Sequence, residues 1–305
     1  MPGMVRWIMR IVMAGASGLI GTALSSRLVS DGHDVVRLVR RPPSSPSEIP
    51  WDPASGTLDP GCLEGADAVV NLSGANIGAR PWTPHRIDEL FRSRLDPTRT
   101  LTSAMRHLDS PPRIFISQSG AGYYGDAGQA MLTEESPAGQ GIMARICVEW
   151  EAAAHEAPAG VRVVTPRTAV VLSRSGGAMG RLLPLLRAGV GGPLGNGRQY
   201  WPWITLPDLT SAFEFLLTSG TSGPVNVAAP EAADVNTLVA GLARALHRPA
   251  VLRAPAPALR LVMGKLADEL LLASQRLEPT LLRNSGFTWQ HHSVALAAAW
   301  VAGDK

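Results

Sequence analysis

Three glycines recur every third residue in the segment Gly15-Ala16-Ser17-Gly18-Leu19-Ile20-Gly21. A loop of this type can cradle a diphosphate. The first glycine allows a tight turn, the second lets an anion approach the backbone, and the third lets a helix pack closely on the preceding strand. Free N–H groups at the start of that helix, and its dipole, favour negative charge. The triplet is informative only between a strand and a helix. Both are expected here. Ile8 to Ala14 is a short apolar run of β-formers. Leu19 to Asp31 places Ile20, Leu24 and Leu28 on one helical face, and Gly32 follows as a stop. The competing reading, a glycine-rich turn without a ligand, has these flanking elements against it.

Asp34 to Val39 reads as the next strand. Sites that hold a free ribose carry an acidic residue near its end. This chain has Arg40 and Arg41 there instead, and Asp34 lies at the wrong end. A carboxylate repels a 2′-phosphate, whereas paired guanidiniums grip one. The alternative is two solvated surface arginines. The residues therefore point to NADP(H), with Gly15, Ser17, Gly18, Leu19, Ile20 and Gly21 at the diphosphate and Arg40 and Arg41 at the 2′-phosphate. Leu72, at the end of a strand at Ala68 to Leu72, and Gly74 just past it join this set, as does Arg167, for which a structural ion pair is an equal alternative.

The elements that must position these residues alternate. Strands are expected at Arg113 to Ser117 and within Val161 to Leu172, and helices at Thr83 to Leu108 and Gly141 to His155. Alternation of this kind predicts a doubly wound parallel sheet, an α/β fold. Pro42 to Pro60 reads as a loop. Beyond Ser173, glycines from Gly176 to Gly197 break the pattern. A helix at Leu206 to Leu217, a strand at Pro224 to Ala228 and a helical tail from Val235, interrupted at Pro249 to Pro257, follow. The expected organisation is a nucleotide-binding domain over residues 1–172, completed by 205–228. A smaller α+β substrate lobe would take 173–204 and 229–305.

Composition bounds the function. Of 305 residues, 45% are apolar and 17% charged, as in a folded enzyme. The net charge of +3 is not gathered in a basic tract, which argues against nucleic acid. Cys62 and Cys147 have no metal-ligand spacing, so neither a metal site nor a disulfide scaffold is expected. His85, His107, His247, His291 and His292 are expected at the surface. No run approaches the ~20 apolar residues of a membrane span, and Met1 to Arg10 lacks the core of a signal peptide. The expectation is a cytoplasmic protein with a small-molecule substrate, no membrane partner, and a homodimer as an admissible assembly.

Several segments carry a family resemblance: GASGLIG, NLSG (Asn71 to Gly74), SGAGYYGD (Ser119 to Asp126), TEES (Thr133 to Ser136), CVEWE (Cys147 to Glu151), GNGRQYWPWI (Gly195 to Ile204) and SQRLEPTLLRNSGF (Ser274 to Phe287). In this order they resemble the atypical extended short-chain dehydrogenase/reductases of the NAD-dependent epimerase/dehydratase family that end in a domain of unknown function. The resemblance implies a Rossmann-type fold with a smaller C-terminal substrate lobe, NADP(H), and reduction or epimerisation at a carbonyl or hydroxyl group.

The usual proton relay of that superfamily is missing. It needs a tyrosine four residues before a lysine, whose charge lowers the phenol's pKa. Aligned on Glu151, Met143 stands where the tyrosine should be and Cys147 where the lysine should be. The only lysines are Lys265 and Lys305. Ser119, Tyr123 and Tyr124 remain as catalytic candidates, against a plain packing role for the tyrosines. Trp82, Gln199 and Trp203 are candidates for substrate contact. Three readings stay open: Tyr123 or Tyr124 as acid/base beside Ser119, hydride transfer without a protein phenol, or a bound cofactor that is never turned over, as in a sensor or interaction protein.

Overall fold

The apolar runs become strands because each is buried on both faces. The computed structural model describes residues 8–174 and 176–303. In chain order the strands are β1 (Arg10–Ala14), β2 (Asp34–Val39), β3 (Glu48–Pro50), β4 (Ala68–Asn71), β5 (Ile114–Ser117), β6 (Ser119–Gly120), β7 (Met131–Leu132), β8 (Arg162–Thr168), β9 (Val170–Leu172), β10 (Trp203–Thr205), β11 (Gly223–Val227) and β12 (Arg276–Leu277). The helices are α1 (Leu19–Ser30), α2 (Pro84–Arg106), α3 (Ile142–Ala154), α4 (Met179–Arg187), α5 (Leu206–Thr218), α6 (Val235–Ala245), α7 (Ala256–Met263), α8 (Thr280–Asn284) and α9 (Val294–Ala302).

A parallel sheet runs β11-β8-β5-β4-β1-β2-β3, with β6 beside β8. Side-chain alternation divides β1 between two cores. Ile11 and Met13 pack with Leu24, Leu28 and Phe213 of α1 and α5. Val12 and Ala14 face the opposite side with Leu101 and Met105 of α2. The sheet is therefore covered on both faces, the doubly wound Rossmann-type arrangement. From β1 the chain steps outward to β2 and β3, then returns to β4 on the other side. The carboxyl ends of β1 and β4 thus part at a switch point, where ligands collect in such sheets.

A second core joins Leu183 and Leu186 of α4 to Leu238 and Leu242 of α6, Val301 of α9, and Trp201 and Trp203. This is the smaller lobe. Leu277, Leu282 and Phe287 pack instead with the sheet's core, so the chain returns to the first body late.

One local expectation changes and two gain detail. The loop over Pro42 to Pro60 contains β3, an edge strand made by pairing with β2. The span Val161 to Leu172 divides at Ala169, where β8 stays in the main sheet and β9 pairs with β10. The glycine-broken stretch contains α4. His291, expected at the surface, is drawn inward. Its Nδ1 lies 3.2 Å from the buried Asp208 carboxylate and 2.9 Å from the Thr205 hydroxyl. Among the described residues no helix is long and apolar enough to cross a membrane, and no group of three or more His, Cys, Asp or Glu side chains could hold a metal ion.

Candidate functional site

The glycine loop sits at the switch point, and its three glycines do different work. Gly15 has φ +74°, and a Cβ there would lie 2.5 Å from the Leu72 carbonyl carbon. The loop therefore lies directly against the end of β4. At Gly21 a Cβ would strike the Gly15 oxygen at 2.3 Å, so this glycine lets α1 pack on the loop. Gly18 is unlike both: its φ is −77°, and a Cβ would meet only the Gly15 oxygen, at 3.6 Å. Protein packing does not require glycine there, and its open side is the space beyond.

That space is a crevice of about 1030 Å³. Gly15, Ala16, Ser17 and Gly18 form one wall, and Leu72, Ser73 and Gly74 another. It runs past the end of β2, where Arg37, Arg40 and Arg41 line it. The first turn of α1 carries no acidic residue and no side-chain cap, so its amides are available to an anion.

The arginines are not equivalent. Arg41 holds Glu48 in a two-pronged pair, Nη1 to Oε2 at 2.9 Å and Nη2 to Oε1 at 2.8 Å. The Ser44 N–H and hydroxyl donate to the same carboxylate at 2.7 and 2.8 Å. These bonds, Arg41 first, lower the Glu48 pKa to about 2. Arg37 approaches Glu48 at 3.4 Å. Arg40 is exposed and pairs with no carboxylate among the described residues. One buried acid thus orders two of three guanidiniums, leaving a local excess of two positive charges. Arg37 and Glu48 were missed in the sequence, because β3 brings Glu48 to β2 across a loop.

A second cluster lies beyond β5, two strand spacings from β1, or about 10 Å. The Ser119 hydroxyl donates to Glu151 Oε1 at 2.7 Å. Arg167 binds the same carboxylate through Nε (2.9 Å) and Nη2 (2.8 Å). Burial works against the Arg167 charge, but the Glu151 hydrogen bonds and charge outweigh it and hold its pKa above the usual value. Arg167 Nη1 donates to the Tyr124 hydroxyl at 2.9 Å, and that hydroxyl lies 2.7 Å from Asn226 Oδ1. Tyr124 is 2% exposed, and burial, only partly opposed by Arg167, pushes its pKa up to about 12. Tyr123 is half-buried, lies with its ring over the Arg167 guanidinium, and has no hydrogen-bond partner for its hydroxyl among the described residues.

Helix α3 closes this cluster from behind. Gly122 has room for no side chain, since a Cβ would come within 2.9 Å of Met143 Cβ. The Cys147 thiol donates to the Gly120 carbonyl at 3.6 Å, and burial raises its pKa to about 11. Glu269, from the π-helical segment Ala267–Leu272 after α7, accepts the N–H groups of Ile142 and Met143 at 3.0 and 2.8 Å and so caps α3. On α2, Arg94 lies under Gly74. It donates to the carbonyls of Leu90 (3.0 Å) and Ala75 (3.2 Å), and burial lowers its pKa to about 10. No carboxylate pairs with it among the described residues.

The model of the NAD-dependent epimerase/dehydratase family matches residues 11–228. The chain belongs to that family. A second model, a domain of unknown function (DUF1731), matches residues 254–301. The epimerase family protein Mb2239 of Mycobacterium bovis is 40% identical, over 95% of this chain and 96% of its own. The crystal structure of human epimerase family protein SDR39U1 (isoform 2) with NADPH superposes with a TM-score of 0.90 at 33% identity, covering 96% of this chain and 99% of that one. The nucleoside-diphosphate sugar epimerase of Corynebacterium glutamicum gives 0.79 at 32% identity, covering 98% of this chain and 59% of that one.

Within this family member the expected site residues separate into groups. Gly15, Ser17, Gly18, Arg40, Arg41, Leu72 and Gly74 share the crevice. Leu19 and Ile20 do not line it: the Leu19 side chain lies beside Gly176 and Gly177, the Ile20 side chain packs against the sheet's core, and Gly21 serves packing. Arg167 is a buried ion-pair partner beside Ser119, Tyr123 and Tyr124 and does not line the crevice. Two of the three side chains expected at a substrate are buried. Trp203 is 1% exposed inside the smaller lobe's core. The Gln199 amide donates to the carbonyls of Leu194 and Leu271 and so pins two loops. Trp82 packs beside Leu90 and Met143, with its indole N–H on the Ile77 carbonyl. Tyr124 is buried, with its hydroxyl engaged by Arg167, Asn226 and the Thr133 carbonyl. Glu151, which holds Ser119 and Arg167, was not among the expected site residues. Its signal was an acid on the buried face of α3, in line with Ala144 and Cys147.

Proposed function

We propose that the chain binds NADP(H) and transfers hydride at a carbonyl or hydroxyl carbon of a small polar substrate, as a reductase or an epimerase. One observation carries this reading: a crevice of about 1030 Å³ opens on Gly18, whose missing side chain nothing in the protein demands, and ends at three arginines. The donor set fits the cofactor. The α1 amides and Ser17 would hold the diphosphate, and Arg40, with Arg41 held in place by Glu48, would hold a 2′-phosphate. The human relative crystallised with NADPH supports the same choice. When bound, the cofactor supplies or accepts the hydride.

The chain's own residues would orient and protonate the substrate. Tyr123 is the favoured proton donor, because its hydroxyl alone of the pair is uncommitted. Arg167 beneath its ring holds it in place, and Glu151 fixes Arg167. Ser119 donates a hydrogen bond to Glu151 and is 2% exposed, so it would act by holding the Glu151–Arg167 pair beneath Tyr123 rather than by meeting the substrate itself.

One observation favours a second reading, binding without turnover. Met143 and Cys147 fill the places of the usual relay with apolar packing. The experiment is to follow NADPH oxidation over a panel of ketones and sugar nucleotides, with binding measured in parallel. Turnover with any of them supports the enzyme. Tight NADPH binding with no turnover across the panel supports the second reading, and no binding of NADPH overturns both.

A further inference from the structure

Of the eleven exposed large apolar side chains among the described residues, six fall in three segments of the C-terminal half. Leu185 and Val190 near the end of α4, Val251 and Leu252 in the proline-rich segment, and Leu261 and Val262 on α7 all stand in solvent. The first two segments adjoin, because Arg248 Nε donates to the Arg187 carbonyl at 2.9 Å and the Ala254 N–H to the Pro193 carbonyl at 3.0 Å. Helix α7 starts two residues later and buries none of its residues. On it Leu261 is 88% exposed and Val262 78%. Single exposed apolar residues need no explanation, whereas a grouped set marks a contact surface.

The charge around this set is one-sided. No Asp or Glu occurs between Glu156 and Asp208, nor between Asp234 and Asp268. Arg181, Arg187, Arg248, Arg253, Arg260 and Lys265 are all exposed there. Among them only Arg260 has an acidic partner within the described residues, Asp268 at 2.7 Å.

We propose that this face rests on an anionic membrane surface, with Leu261 and Val262 in the acyl boundary and the basic side chains at the lipid phosphates. Interfacial helices combine apolar insertion with basic residues in this way. The alternatives fit less well. In a two-fold dimer the same patch meets itself, and here that brings like charges together. A protein groove receives a helix along an apolar stripe, whereas the exposed residues of α7 place Arg260 directly beside Leu261 and Val262, with Ala256, Leu259 and Met263 half-buried on the other face. The expectation of no membrane partner rested on the absence of a spanning segment, and lying on a bilayer needs none. The proposal is independent of the cofactor reading.

The test is flotation of the full chain with vesicles of phosphatidylcholine, alone or mixed with phosphatidylglycerol. The expected result is binding to the mixed vesicles only, weakening as salt is added. The L261Q/V262Q double variant should bind roughly tenfold more weakly with its melting temperature unchanged. The R253Q/K265Q variant should lose about fivefold per charge and respond less to salt. Absence of binding, equal binding to neutral vesicles, or indifference to both variants overturns the proposal. A dimer in sedimentation equilibrium that L261Q/V262Q dissociates also overturns it, and makes the face a contact between copies.

Discussion

The guanidinium carbon of Arg167 lies 3.4 Å from the ring centroid of Tyr123, while its Nη1 donates to the hydroxyl of Tyr124 at 2.9 Å. One buried cation thus treats two adjacent phenols differently. It stacks on one and engages the hydroxyl of the other. Tyr123→Phe keeps the stacked ring and removes only the uncommitted hydroxyl. Turnover should fall by about 10²–10⁴ while NADPH affinity and melting temperature hold. Tyr124→Phe leaves Arg167 Nη1 and Asn226 Oδ1 short of a partner and should cost about 1–3 kcal/mol in urea unfolding, with little change in kcat. Reversal of the two phenotypes would remove Tyr123 from the proposed role.

The buried Arg167–Glu151 pair should be intolerant of half removal. Arg167→Met strands the Glu151 carboxylate and Glu151→Leu strands the guanidinium. Each should cost about 3–5 kcal/mol, because the remaining charge is buried without its partner. The double variant should cost clearly less than the two singles together. Additive losses in a double-mutant cycle would mean that the two side chains act separately.

The glycine loop separates folding from binding. Gly18→Ala meets no clash and keeps an ordinary φ of −77°, so its melting temperature should hold. Its new methyl group enters the crevice, and NADPH affinity should drop at least ~10-fold, about 1.4 kcal/mol. Gly15→Ala combines φ +74° with a 2.5 Å approach to Leu72, and Gly21→Ala drives a Cβ to 2.3 Å from Gly15. Both should lower stability by about 1–3 kcal/mol or more. Calorimetric titration and thermal melts on the three variants test this division. A Gly18→Ala protein that binds NADPH normally would place the diphosphate elsewhere.

How much of this was legible in the sequence depended on the range of the interaction. The loop, α1 and β2 follow from local period and glycine spacing, and β2 appears over Asp34–Val39 as expected. β3 did not, because a strand of three residues on a sheet edge is made by its neighbour rather than by its own propensity. Glu48 was hidden with it. Gln199 and Trp203 looked like ligand contacts because a polar and an aromatic residue in a glycine-rich loop suit a binding site. Tertiary packing placed them inside the smaller lobe instead. The choice between Tyr123 and Tyr124 was closed to sequence, since it turns on Asn226, which lies on the distant β11.

Glu48 should make the arginine cluster sensitive to acid. Its folded pKa of about 2 lies below the usual 4.5, so the folded state favours the carboxylate. The stabilisation it brings is complete above about pH 4.5 and is lost as the pH falls from there through about 2. In urea unfolding, wild type should exceed Glu48→Gln most near neutral pH, and the two curves should converge as the acid limb is descended. Glu48→Gln should also leave Arg37 and Arg41 uncompensated and less ordered. Near neutral pH its NADPH affinity should fall through lost positioning or rise through added positive charge, whereas NADH affinity should stay level. Parallel acid limbs for wild type and variant would show that Glu48 is not held by Arg41 in solution. Equal changes for NADPH and NADH would remove the cluster from 2′-phosphate recognition.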